Sequence, residues 1–345
     1  VGSGKLVIGA PFDDDNGDSS GSVYVYDAAD LSAQPTKLIG ELAGDRLGWS
    51  VALTSDKIIA GAQYHPMGPQ TTTSRIGAVY AYDMNDLSAQ PTKLVPSDVI
   101  SSIGDNPYHS TEFGEVIVTS SDKIYIGHYR YPTEGVGAGS FASNVGAVFV
   151  YDANDLSADP IRIDNPETGQ FWSDGLNQYL PRWESNEFGN SIAISSNYLV
   201  VGAHRYGKYT PNDATDTEAS AGAVYVYDIN NLSAAPTKLT VSDGAQYDSL
   251  GYAVAVSSDV IVASTVNDGG TGTNGDYSGS VYVWDANNLS ASPTKLVAFD
   301  STPNSYFGYD IVVSADKIFI ATRAGAVYEY DVNNLSAAGT KHSPV

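Results

Sequence analysis

The chain has 345 residues, with 40 Asp and Glu against 17 Lys and Arg, and its net charge of -23 repels nucleic acid and anionic membrane surfaces. It contains no Cys, which excludes disulfides and thiolate metal sites. No apolar run approaches the ~20 residues that a spanning helix needs, so neither nucleic acid nor membrane insertion is expected.

An internal repeat outranks every other signal along the chain. The first unit reads Leu6-Val-Ile-Gly-Ala-Pro11, then Ser22-Val-Tyr-Val-Tyr-Asp27, then Thr36-Lys-Leu38. From the second unit on, a Phe-Gly or Leu-Gly stretch precedes these: Leu47 to Leu53, Phe113 to Val118, Phe188 to Ile194, Leu250 to Val256 and Phe307 to Val313. A Ser-Asp-Lys stretch follows each, at Ser55 to Ala62, Ser121 to Gly127, Ser196 to Ala203, Ser258 to Ser264 and Ala315 to Ala321. The Val-Tyr-Val-Tyr stretch ends at Asp27, Asp83, Asp152, Asp228, Asp285 and Asp331, and a Leu-Ser-Ala turn leads from it to Thr-Lys-Leu.

Side chains alternate in an extended chain, so Val79 and Ala81 face one way and Tyr80 and Tyr82 the other. Both faces are apolar or aromatic, which predicts a strand covered on both sides by neighbouring sheets. Asx residues after it are turn formers, and this also accounts for the glycosylation-like Asn231-Leu-Ser, Asn288-Leu-Ser and Asn334-Leu-Ser.

Four short strands per unit predict an all-β fold, a β-propeller of six four-stranded antiparallel blades in one domain over residues 1–345. The repeats span about 1–45, 46–110, 111–185, 186–248, 249–305 and 306–345. The Phe-Gly strand of the first would precede Val1. The chain is therefore expected to be a piece of a longer polypeptide, or to close its ring with a three-stranded blade.

Phe-Gly followed by Val-Ile-Gly-Ala-Pro resembles the FG-GAP repeat of integrin α-subunits and many secreted bacterial proteins. The Val-Tyr-Val-Tyr-Asp units are also similar to those of marine bacterial and phage structural proteins. The resemblance implies a propeller and an extracellular, cell-surface or virion location. In that family a calcium loop separates the Phe-Gly and Gly-Ala-Pro strands, whereas here the link is a short Ser-Asp-Lys turn, so those calcium sites do not carry over.

The first and third turns of each unit hardly vary, while the second turn and the link between units are long in repeats two to four. Long loops on a rigid scaffold are where binding is usually placed. Here they hold Tyr64 and His65; His128, Tyr129, Arg130 and Tyr131; Trp172, Arg182 and Trp183; and His204, Arg205 and Tyr206. Aromatic faces with Arg and His beside them suit a glycan or a protein receptor; they also suit mini-cores within the loops. The repeat lysines, by contrast, are expected to be scaffold.

Asp13, Asp15 and Asp18 place carboxylates at a Gly turn in the manner of a calcium loop, with a solvated acidic turn as the alternative. Asn267-Asp268 is a looser echo. Asp45, Glu112, Glu187 and Asp248 precede the Phe-Gly pairs; with that strand innermost, as the resemblance implies, they are expected at a channel mouth, holding a cation or simply solvated by water.

No nucleophile motif or zinc-binding His pair is present, so the chain is expected not to be an enzyme. The expected function is non-enzymatic recognition or adhesion. The alternatives are a structural component whose partners are neighbouring subunits, and a polysaccharide lyase or hydrolase that uses His128, Arg130, His204 and Arg205.

Overall fold

Valine and tyrosine alternating between a glycine and an aspartate favour extended chain, because β-branched and aromatic side chains fit a pleated surface. The computed structural model describes residues 2–66, 75–97, 110–130, 145–167, 170–173, 178–181, 186–206, 221–245, 247–269 and 276–343. Every copy of the Val-Tyr stretch is an interior strand of a small antiparallel sheet. Contacts divide the chain into two compact units, Val1–Asp164 and Asn165–Val345.

In the first unit, β1 (Lys5–Ala10), β2 (Ser22–Asp27) and β3 (Thr36–Ile39) make a three-stranded sheet. The second sheet is β4 (Leu47–Leu53), β5 (Lys57–Ala62), β6 (Arg75–Asp83) and β7 (Thr92–Leu94), with β8 (Ser110–Phe113) pairing in parallel with β6. The third is β9 (Val116–Thr119), β10 (Lys123–His128), β11 (Ala147–Asp152) and β12 (Ile161–Asp164).

The second unit opens with a hairpin, β13 (Gln170–Ser173) and β14 (Gln178–Pro181). Three four-stranded sheets follow. They are β15 (Ser191–Ile194) with β16 (Tyr198–Ala203), β17 (Ala223–Asp228) and β18 (Thr237–Leu239); β19 (Leu250–Val256) with β20 (Val260–Thr265), β21 (Ser280–Asp285) and β22 (Thr294–Leu296); and β23 (Asp310–Ser314) with β24 (Lys317–Ala321), β25 (Val327–Asp331) and β26 (Thr340–His342). Six small antiparallel sheets, the first lacking one strand, are the propeller blades that the repeat implies.

The Phe-Gly strands differ from expectation. They break or bulge at the glycine, so that β9, β15 and β23 begin only at Val116, Ser191 and Asp310, and β4 and β19 shift register after Leu47 and Leu250. The reason is that Gly114, Gly189 and Gly308 sit at φ of 91°, 90° and 93°, where a chain cannot continue a ladder. That kink brings Gly114 and Gly308 against the second strand of the preceding sheet. A Cβ on Gly61 would collide with the Gly114 carbonyl oxygen, and one on Gly202 with that of Gly251. The Ser50 and Ser191 hydroxyls donate to those same two carbonyls at 2.7 and 2.8 Å.

Phe113 and Phe307, ahead of two of these glycines, are plugs between sheets. Phe113, Phe188 and Phe307 are each 0% exposed. Phe113 packs with Ile59, Val79 and Leu94 of the second sheet and with Ile124 and Phe149 of the third. Phe307 does the same between Val281 and Leu296 on one side and Ile318 and Tyr328 on the other. Burying a Phe contributes about 2–3 kcal/mol, so each plug is a substantial part of the sheet-to-sheet adhesion.

The turn chemistry follows the sequence. Asp83 accepts the amide of Asn85 at 2.9 Å, and Asp86 accepts the amide and hydroxyl of Ser88 at 3.1 and 2.6 Å. Where Asn replaces that second Asp, Asn231, Asn288 and Asn334 each accept the hydroxyl of the serine two residues on, at 2.8–2.9 Å.

Candidate functional site

The repeat lysines build a clamp in four of the blades. Lys93 pairs with Glu41 at 3.1 Å, Lys238 with Glu167 at 3.1 Å, Lys295 with Asp243 at 2.9 Å and Lys341 with Asp300 at 2.6 Å. Each of these acids lies in the link leading into its blade, so the pair ties link to last strand. Tyr80, Tyr282 and Tyr328 donate their hydroxyls to the same carboxylates at 2.7, 2.9 and 2.5 Å. The sequence marked these lysines as scaffold, and the geometry agrees.

Asp13, Asp15 and Asp18 do not converge on a common point. Asp13 accepts the hydroxyls of Ser22 and Tyr24 at 2.5 and 2.9 Å and pairs with Lys37 at 2.9 Å; Asp15 also pairs with Lys37. The Lys37 ammonium, helped by Ser22 and Tyr24, holds the Asp13 carboxyl down to about 2. Asp18 accepts the Ser19 hydroxyl at 3.0 Å. Asp268 repeats the Asp13 arrangement, with Ser280 at 2.5 Å and Lys295 at 2.7 Å. Among the described residues no group of three or more His, Asp or Glu is placed to hold a metal ion.

Several expected ligand-binding residues belong to the scaffold. His65 is buried; Asp45 lies 3.1 Å from its Nδ1 and the Lys93 ammonium 2.5 Å from its Nε2. A neutral ring that donates from Nδ1 and accepts at Nε2 satisfies both contacts. His128 is not a loop residue: it ends β10 at 0% exposure, its ring 5.5 Å from Phe113 and 6.1 Å from Phe149. Its cross-strand partner is Ala147, whose small side chain leaves the room for an imidazole. Tyr206 lies under the Lys238 ammonium at 3.7 Å.

Tyr129 and Arg130 meet Glu112, at 3.2 and 3.1 Å. Beside them burial, with the Glu112 charge adding, pushes the Glu115 carboxyl up to about 7. Tyr131, Arg182 and Trp183 lie outside the described residues, as does the side chain of Trp172 in β13.

His204 and Arg205 line a cavity of about 330 Å³ in the second unit, together with Ser249, Tyr252, Val266, Asn267, Tyr306, Tyr309 and Arg323. These residues come from equivalent places in three consecutive sheets. His204 and Arg205 follow β16, Val266 and Asn267 follow β20, and Arg323 follows β24; Ser249 and Tyr306 precede β19 and β23. The cavity thus opens on the face formed by second turns and links, where the sequence placed its variable loops.

Aromatic rings dominate its wall. Tyr252 and Tyr309 are 5.8 Å apart with planes tilted by 41°, and His204 meets Tyr252 edge-on at 5.7 Å. Arg323 lies 5.4 Å from the Tyr306 ring, which is stacked at 5.7 Å on Tyr277. Asn267 donates to the Ser249 hydroxyl at 3.1 Å.

The charges are arranged tightly. Glu187 sits 3.3 Å from His204 Nε2 and 3.2 Å from Arg205 Nε. Burial, with the Arg205 charge adding, holds the His204 imidazole down to about 4, so it is neutral and donates Nε2–H to Glu187. Its Nδ1 is a buried acceptor with no hydrogen-bond partner among the described residues. Burial, then the neighbouring Tyr309, pushes the Tyr252 phenol up to about 12. Asp248 accepts the amide of Ala245 at 2.6 Å, and burial pushes its carboxyl up to about 6. The carboxylates read from sequence as lining a channel mouth are therefore buried and engaged by their own blades.

A second aromatic cluster lies in the first unit. Phe12, 61% exposed, meets Trp49 edge-on at 6.3 Å. Arg46 lies 5.1, 5.8 and 4.2 Å from the rings of Phe12, Trp49 and Tyr64, and Arg75 lies 4.5 Å from Tyr64. Of these, only Tyr64 stands out in the sequence.

Blade-sized sheets repeated along the chain define a β-propeller repeat protein. Residues 1–26, 183–227 and 236–284 match the model of the FG-GAP repeat, and these three segments are FG-GAP repeats. No curated protein matches the chain. No described helix is long and apolar enough to cross a membrane.

Proposed function

We propose that the chain is a non-catalytic recognition module, displayed outside the cell or on a virion, that binds a glycan through the cavity of its second unit. The observation that carries this reading is the cavity wall: Tyr252, Tyr306 and Tyr309 beside Asn267, Ser249 and two arginines, around about 330 Å³. Sugar C–H faces pack on aromatic rings, and sugar hydroxyls need donors and acceptors at the rim. The volume falls within the range of small-ligand sites. Proton-transfer chemistry would fall to His204 and Arg205, and both are committed to Glu187. Asp13 and Asp15 are committed to Lys37, so binding is proposed to need no calcium.

A second reading is favoured by the other aromatic cluster. Phe12 and Trp49, 61% and 38% exposed, suit contact with a neighbouring subunit of a surface assembly.

The test is binding of the purified chain to a broad glycan panel with chelator present, repeated with Tyr309→Ala. Saturable binding that weakens ~10-fold in the variant, with an unchanged melting temperature, is expected, since one ring contact is worth ~1.4 kcal/mol. A folded chain that binds no glycan, or binds equally well without Tyr309, overturns the reading.

A further inference from the structure

We infer that the saccharide taken by this cavity is acidic, with carboxylates on its sugar rings as in a uronic acid. This inference rests on the glycan reading above and adds the chemical class of the ligand.

It starts from how the chain disposes of its positive charge. The clamp lysines are each within 3.1 Å of a carboxylate. Arg130, Arg162 and Arg205 are also paired, with Glu112, Asp164 and Glu187. Arg46, Arg75 and Arg323 have no carboxylate within 4 Å among the described residues, and of these three Arg323 is the one in the cavity wall, its guanidinium against the Tyr306 ring. The chain has a net charge of -23 and therefore no shortage of acids. A cation left without one, in a concave site, is set for a charge that arrives with the ligand.

The position of Arg323 is held from both sides. Its backbone amide donates to the Ser305 carbonyl at 3.2 Å, and the Tyr277–Tyr306 stack supports its side chain. Arg205 adds a second guanidinium at the same rim. Its Nε is taken by Glu187 at 3.2 Å, while its side chain is 57% exposed, so its outer edge faces solvent. None of the acids near the cavity is within 4 Å of Arg323 among the described residues. Glu187 pairs with His204 and Arg205, Asp248 accepts the Ala245 amide, and exposed Asp310 accepts the Ile311 amide at 2.8 Å. A guanidinium fork matches a planar carboxylate through two parallel hydrogen bonds. Beside it, Tyr252 and Tyr309 offer faces for the pyranose ring that bears that carboxylate.

The experiment measures binding of the full chain to polygalacturonate, to the same polymer reduced at its carboxyls to a neutral galactan, and to a sulfated galactan. Each is tested with wild type, Arg323→Gln and Tyr309→Ala. The expected result is tightest binding to polygalacturonate, at least ~10-fold weaker binding to the reduced polymer, and affinity that falls with salt. Arg323→Gln should remove most of the difference between the two polymers, while Tyr309→Ala should weaken both. Equal binding of charged and reduced polymers, or a preference for sulfate over carboxylate, overturns the inference and leaves the glycan reading standing. Failure of all three polymers while another glycan of the panel binds also overturns it alone; failure of every glycan overturns both.

Discussion

Lys295→Met separates the two kinds of acid that the clamps contain. Lys295 pairs with Asp268, which is 5% exposed and 2.7 Å away, and with Asp243, which is 51% exposed and 2.9 Å away. Removing the cation from a buried carboxylate costs ~3–5 kcal/mol. The low end applies, because the Ser280 hydroxyl still donates to Asp268 at 2.5 Å. Exposed pairs are worth ~0–1 kcal/mol. Lys341 is the internal control, since its partner Asp300 is 38% exposed. Urea unfolding followed by tryptophan fluorescence suits the comparison, because Trp284 is 2% exposed and 6.1 Å from the Tyr282 ring of the same clamp. Lys295→Met is expected to lose ~3 kcal/mol and Asp243→Asn less than ~1, with Lys341→Met losing far less than Lys295→Met. Equal losses in Lys295→Met and Lys341→Met would refute the argument that burial of Asp268 is what makes this clamp strong.

Opposing pH slopes are expected from two groups of the second unit. The folded state binds the His204 proton more weakly than the unfolded chain, so stability falls between pH ~6.5 and the folded value of about 4, by at most ~3 kcal/mol. The folded state holds the Asp248 proton more tightly, so stability rises as pH falls from about 6 through the ordinary aspartate value of 3.8. Urea midpoints across pH 4–7 should therefore steepen toward acid loss in Asp248→Asn and flatten or reverse in His204→Gln. Gly61→Ala should lose more than ~3 kcal/mol, because its new Cβ meets the backbone oxygen of Gly114, which cannot move like a side chain. Asn231→Asp should shift the melting temperature by under ~1 °C, since Asp86 fills the same turn in the second repeat. Calcium should leave the wild-type midpoint unmoved, because Lys37 already neutralises Asp13 and Asp15.

The blades were legible because their signal is periodic. Val-Tyr-Val-Tyr between Gly and Asp states a strand, its two covered faces and its turn, and six copies state the architecture. The site was legible only in part. His204 and Arg205 stood out as loop cations on the variable face, and both line the cavity. Tyr252 and Tyr309 were missed because they sit inside the Phe-Gly stretch, which reads as scaffold. The signal was present, however: the residue after the glycine is Trp49, Glu115, Asn190, Tyr252 or Tyr309, a varying position in an otherwise repeated strand. Arg323 carries no such signal, because its turn is the shortest of the six and loop length points elsewhere. His65 and His128 misled for the opposite reason. A histidine near a loop is read as exposed, yet one completes a lysine clamp and the other fills the space above Ala147. Asp13 and Asp268 show the same limit. Carboxylate spacing in a turn looks like a cation loop until the distant Lys37 and Lys295 are seen to supply the cation.

The central claim is that a saccharide sits on the tyrosines of the second unit with an acid group on Arg323. A structure of the chain with a galacturonate oligosaccharide tests it most directly. The account predicts a pyranose ring on the face of Tyr252 or Tyr309 and a carboxylate within hydrogen-bond reach of the Arg323 guanidinium. A sugar seated on the Phe12, Trp49 and Tyr64 cluster, or a cavity left empty by an oligosaccharide that binds the chain in solution, would contradict it.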